Sequence, residues 1–129
     1  MASATVKLLR QASAAWAARR TRVPDVLVVG NVCTDRTCGP AGPEHRLGGA
    51  SAFAAQAAAC MGATVGLVTA APRLLPRLRP LRTDPRIQLV VSPCPQESLF
   101  EVQWDGADRR ERVLHAAPSL TPRSIPASF

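Results

Sequence analysis

The sequence contains no tyrosine, and only three phenylalanines and two tryptophans occur among its 129 residues. Aromatics and a defined recognition motif are the marks of a nucleic-acid-binding surface; the first are scarce and the second is missing. A formal net charge of +7 points the other way, but the charge is unevenly placed. No acid precedes Asp25, and Lys7, Arg10, Arg19, Arg20 and Arg22 stand there unopposed. From Asp25 onward, eleven basic residues face nine acids, so the body is nearly neutral. Lysine occurs once; fifteen of the sixteen basic residues are arginine, which reads as genome composition before it reads as chemistry. Nucleic acid is therefore not an expected partner.

Other absences narrow the field further. No apolar run approaches the roughly 20 residues of a membrane span, so no membrane role is expected. No secretory apolar segment precedes Cys33, Cys38, Cys60 and Cys94. The default is reduced thiols in a cytoplasmic protein. Cys33 and Cys38, taken with His45 or His115, lack a second cysteine pair and have an unsuitable spacing for zinc, so no metal site is expected. His115 sits in an alternating strand pattern and reads as a strand residue before a catalytic base. No G-x-G-x-x-G follows the first strand, which argues against a Rossmann dinucleotide site.

What is present is ordered. Residues 1–23 form a basic, Ala/Arg-rich extension, expected to be poorly ordered. The alternative is an organelle-targeting segment, since the stretch is Arg- and Ser-rich and acid-free. Val26–Val29 is a continuous apolar run, the mark of a strand covered on both faces. Residues 36–47 read as a loop or short hairpin punctuated by glycine and proline. Ser51–Met61 reads as a helix, with Ser51 near its start and Gly62 just past its end. Val65–Thr69 is a second buried strand and Ile87–Val91 a third. Four prolines within residues 72–86 permit only a short helix between Pro72 and Leu81. Ser98–Trp104 and Arg109–His115 alternate around Asp105-Gly106, a hairpin with one exposed face. Residues 26–29, 65–69 and 87–91 should form one mainly parallel sheet with the helix packed on a face.

Gly48-Gly49 is the most informative pair. Glycines permit close backbone approach to a ligand, and the helix that follows aims its free N–H groups at the same point. Asp35, in the loop after the first strand, can accept hydrogen bonds from hydroxyls. Together these suit a small sugar or polyol. Each feature also has a plainer reading: Asp35 as a turn cap, the glycines as a tight helix entry, Phe53 as a core residue on the helical face of Ala57 and Cys60. Arg109-Arg110 reads as a solvated turn flank, with steering of an anionic substrate as the alternative.

The ordered set resembles the N-terminal part of the ribokinase-like (pfkB) carbohydrate kinases. The matching elements are Val26–Gly30 with Asp35, Leu47-Gly48-Gly49 with its alanine-rich helix ending at Met61-Gly62-Ala63, the strand Val65–Thr69, the hairpin Phe100–Trp104 with Arg110–Leu114, and Ala117-Pro118-Ser119-Leu120-Thr121-Pro122. The resemblance covers residues 24–129. It implies an α/β fold with a mainly parallel sheet, flanking helices and a small β-hairpin lid at about residues 97–116, here incomplete. It implies ATP-dependent phosphoryl transfer to a hydroxyl, with Asp35, Gly48, Gly49 and Phe53 at the substrate and no catalytic residue in this chain. A homodimer through the lid belongs to the same expectation.

Two departures qualify the resemblance. Sugar kinases such as ribokinase place asparagine four residues after the second glycine; Phe53 stands there, as in the inositol-kinase-like and some uncharacterised bacterial members. The Gly-Ala-Gly-Asp motif, which carries the base and the anion hole, does not occur. ATP and Mg2+ are implied by the family, but their site is expected outside this chain. The chain should therefore be the substrate-side half of a kinase, inactive alone. A non-catalytic binding module derived from the same fold is the alternative.

Overall fold

A computed structural model describes residues 23–129. The expected basic extension and its targeting alternative, residues 1–23, lie outside the described residues save for Val23. The described chain forms two sheets. The first contains β1 (Val26–Val29), β4 (Val65–Ala71) and β5 (Ile87–Pro93) in the order β1-β4-β5, with both pairings parallel. This is the expected parallel sheet, and Val26 pairs with Val65 as Val65 pairs with Ile87.

The helix α1 (Ala50–Cys60) packs on this sheet through Ala52, Ala55 and Ala59, each 4% exposed or less. Alanine favours the helix, and its short side chain brings the helix axis close to the strands. Gly49 is the N-cap, while Ser51 is buried in the first turn. At the other end Gly62 N–H donates to Ala59 and Ala63 N–H donates to Ala58, a Schellman closure. The short helix expected between Pro72 and Leu81 begins later, as a 3-10 turn at Pro76–Leu78 running into α2 (Arg79–Thr83). Leu78 and Leu81 drop into the core formed by Val65, Leu67, Ala71 and Ile87.

Two expectations are corrected. β4 is buried along its whole length, but β1 is not covered on both faces. Val26, Leu27 and Val29 are 37%, 42% and 45% exposed. β1 is an edge strand with β4 alone beside it among the described residues, and the Phe129 ring lies against Gly66 of β4. An apolar run reports the tendency to be buried, not whether a neighbour is present.

The second correction concerns the lid. Residues 36–47 take the hairpin alternative, in a hairpin longer than expected that belongs to the lid sheet. β2 (Cys33–Gly39) and β3 (Gly42–Gly48) pair antiparallel over seven residues each. β6 (Ser98–Asp105) and β7 (Asp108–His115) form the hairpin expected around Asp105-Gly106. β2 then pairs parallel with β6, giving a four-stranded sheet in the order β3-β2-β6-β7. At its base Arg77 Nε donates to Thr34 Oγ1 at 2.8 Å, and Thr34 Oγ1 donates to Glu97 Oε2 at 2.5 Å. These bonds tie the lid to the α2 connection.

Candidate functional site

The chain leaves β1 at Asn31, where the two sheets meet. Asn31 Oδ1 accepts from Ala70 N–H at 2.9 Å, and Asn31 Nδ2 donates to Pro118 O at 2.9 Å. Val32 N–H donates to Thr69 Oγ1 at 2.9 Å. These bonds fix the exit of β1 against the end of β4, so β2 starts from a set position. Asp35 is the third residue of β2; it lies on a strand of the lid, not in the loop expected for it.

Asp35 faces a cleft of about 530 Å³. Asn31, Cys33, Gly49, Phe53, Ser98 and Phe100 line it with Asp35, and Arg109 and Glu111 complete it from β7. Three of the four residues singled out in the sequence, Asp35, Gly49 and Phe53, therefore share one cavity. The fourth, Gly48, lies beneath the Asp35 carboxylate. A Cβ at Gly48 would run into Asp35 Oδ2 and sit 2.5 Å from Asp35 Cγ. Close approach here requires glycine.

Gly49 is constrained twice. Its φ is 95°, a region costly for any residue with a Cβ. A Cβ there would also meet the Asn31 carbonyl oxygen at 3.1 Å and the Cys33 nitrogen at 3.2 Å. Its carbonyl accepts from Ala52 and Phe53, so α1 begins at the cleft wall. The first N–H groups of a helix have no intrahelical partner, and those of α1 open at this wall.

Phe53 is 58% exposed, which corrects the core reading. The face it shares with Ala57 and Cys60 is real, but all three are exposed, and the buried face is Ala52, Ala55 and Ala59. An alanine-rich helix has no apolar contrast to mark its core side.

Sequence reasoning missed Cys33, Ser98, Phe100 and Glu111, and reached Arg109 only as the alternative to a solvated turn flank. Parallel pairing of Cys33 with Ser98 and Asp35 with Phe100 brings the first three together. The alternation of β6 was the available signal; its partner strand was not. Cys33 Sγ donates to Asp35 Oδ1 at 3.2 Å. Burial, then the hydrogen bond to Asp35 and that carboxylate's charge, push the Cys33 thiol from its ordinary 9.0 up to about 12. The thiol thus stays protonated as a donor. Its stabilising contribution is intact below about pH 9 and is lost as pH rises toward 12. Alkylation at pH 8 should label exposed Cys38 and Cys60 in the folded chain and spare Cys33. Mass spectrometry finding Cys33 labelled as fast as Cys38 would refute the geometry.

Among the described residues no group of three or more His, Cys, Asp or Glu side chains is placed to hold a metal ion, and no helix is long and apolar enough to cross a membrane.

Comparison with solved structures decides the architecture. A pyrophosphate-dependent kinase of the ribokinase family, in a sulfate complex, superposes with a TM-score of 0.67 at 20% identity, over 77% of this chain and 36% of that one. The chain has the ribokinase-like fold. A pyrophosphate-dependent kinase of the same family, complexed with a pyrophosphate analog and myo-inositol, gives a TM-score of 0.64 at 18% identity, over 77% and 35% of the two chains. Apo fructokinase from Vibrio cholerae O395 gives 0.63 at 22%, over 79% and 38%. No family model and no curated protein matches the sequence. The ribokinase-like region thus spans little more than a third of the length of these structural neighbours.

Proposed function

We propose that residues 24–129 are the substrate-side half of a sugar or polyol kinase. The observation that carries this reading is the Asp35 carboxylate, seated over Gly48 and opening into a cleft bounded by the start of α1 and the lid sheet. A carboxylate accepts two hydroxyl hydrogen bonds at once, and neighbouring hydroxyls of a polyol present that pair. Phe53 and Phe100 supply apolar walls for the C–H face of such a ligand. Closure of the β3-β2-β6-β7 lid would exclude water from the transferred phosphoryl group.

The residues present do not fit the phosphoryl donor. The cleft face of the lid carries more carboxylates than guanidiniums, which opposes a polyphosphate. Gly-Ala-Gly-Asp is absent from this sequence. The donor, ATP with Mg2+ or the pyrophosphate used by two of the structural neighbours, is assigned to residues outside this sequence.

The test has two arms. The 129-residue chain should bind myo-inositol or fructose, read by shifts of cleft resonances, and should show no turnover with ATP or pyrophosphate. Supplying the C-terminal half of a ribokinase-fold kinase, in cis or as a second chain, should produce turnover. Turnover by the chain alone defeats the division of labour, and unmoved cleft resonances defeat the substrate reading.

The lid also supports a homodimer. Trp104 and Val113 are 63% and 56% exposed on the cleft side of the sheet. Sedimentation should show a dimer that Trp104→Ser weakens by at least about tenfold. A wild-type monomer across all concentrations removes the dimer from the proposal.

A further inference from the structure

Residues paired across strands project to the same face of a sheet. Asp35 pairs with Arg46 and with Phe100; Thr37 pairs with Glu44 and with Val102. Val102 pairs with Glu111, and Trp104 with Arg109. The cleft face of the lid therefore holds two guanidiniums, Arg46 and Arg109, and three carboxylates, Asp35, Glu44 and Glu111. Each guanidinium is taken up by an acid two residues away on its own strand. Arg46 donates to Glu44 Oε2 from NH2 at 2.7 Å and from Nε at 3.2 Å. Arg109 donates to Glu111 from NH1 at 3.1 Å and from NH2 at 3.3 Å. Asp35 is left as the excess charge, with the neutral Cys33 thiol as its donor.

Arg109 and Glu111 line the cleft itself. An unengaged arginine at that wall would be a bidentate phosphate site. Glu111 instead engages one N–H on each terminal nitrogen and cancels the charge at that wall. The pair is about half exposed, at 46% and 41% of the side-chain surface, so it adds little to stability. Its consequence is the charge that a ligand meets. A phosphorylated sugar would find Asp35 uncompensated and both guanidinium charges neutralised by an acid; a neutral polyol meets neither penalty.

We infer that this cleft selects neutral polyols and excludes phosphorylated sugars, and that Glu111 sets the selectivity by occupying Arg109. The inference rests on the polyol reading above and deepens it.

Calorimetric titration of the full chain with fructose and with fructose 6-phosphate tests it. Wild type should bind fructose at least about tenfold more tightly than its phosphate ester. Glu111→Gln frees Arg109 and should tighten fructose 6-phosphate by about tenfold with fructose changed less than about threefold. Adding Arg109→Met to Glu111→Gln should restore the wild-type preference. A far-UV spectrum matching wild type certifies each variant as folded. Fructose binding with a Glu111→Gln preference unchanged overturns the selectivity alone. Failure of the wild type to bind either sugar overturns the polyol reading with it. Tighter wild-type binding of the phosphate ester overturns the inference directly.

Discussion

Leu67→Ala should remove more than half of the stability that the fold has in water at 25 °C. Leu67 is the third residue of β4, is fully buried, and pairs with Val28 on one side and Leu89 on the other. It shares the core with Val65, Leu78, Leu81 and Ile87. Core Leu→Ala changes cost about 2–5 kcal/mol, more where the site cannot collapse. Here the facing helix offers only Ala52, Ala55 and Ala59, whose side chains cannot extend into the space. Domains of this size are stable by only about 5–15 kcal/mol, and the exposed apolar face of β1 argues for the low end. Urea titration should show a loss of ~3 kcal/mol, a midpoint lowered by about 1–3 M. Leu74→Ala is the contrast. Leu74 is 92% exposed, and its change should stay within about 0.5 kcal/mol. Equal effects of the two substitutions would falsify the assignment of the core.

Much of the parallel sheet was legible because its signals are local. Val26–Val29, Val65–Thr69 and Ile87–Val91 are short apolar runs, and the helix between the first two is closed by Gly62. The lid was legible only in pieces. The β6–β7 hairpin announces itself through Asp105-Gly106, but the pairing of Cys33 with Ser98 joins segments 65 positions apart. Nothing near either residue specifies the other. That one non-local ladder converts two hairpins into a sheet, moves Asp35 from a loop onto a strand, and brings Ser98 and Phe100 into the cleft. Phe53 failed differently. Its periodicity with Ala57 and Cys60 was correct, yet alanine on every side of α1 left the core face unmarked. The exposure of β1 was illegible in principle, since a strand's own residues do not state how many neighbours it has.

Asp35→Ala should cost more function than any other single change in the described residues. In the completed enzyme the expected loss is about 30- to 1,000-fold in kcat/KM, or roughly 2–4 kcal/mol of transition-state binding, because two substrate hydroxyls lose their acceptor in a cleft that closes over them. The fold should survive, since the carboxylate's hydrogen bond within the described residues is the weak one from Cys33, and truncation there relieves crowding over Gly48. Gly48→Ala reaches the same end from beneath. Its new methyl would occupy the space of the Asp35 carboxylate, so the acid must swing out of position, and kcat/KM should fall toward the Asp35→Ala value while Asp35 itself is intact. Asp35→Asn separates charge from shape: it keeps one acceptor and should recover part of the loss. Phe53→Asn, by contrast, should change which polyol is accepted more than it changes donor affinity, since the ring is exposed at the cleft wall and supports no core contact. The decisive comparison is Asp35→Ala against Gly48→Ala in parallel kinetics. Unchanged kcat/KM in the first would remove Asp35 from the site, and a harmless Gly48→Ala would show that the acid works from a position other than the one over Gly48.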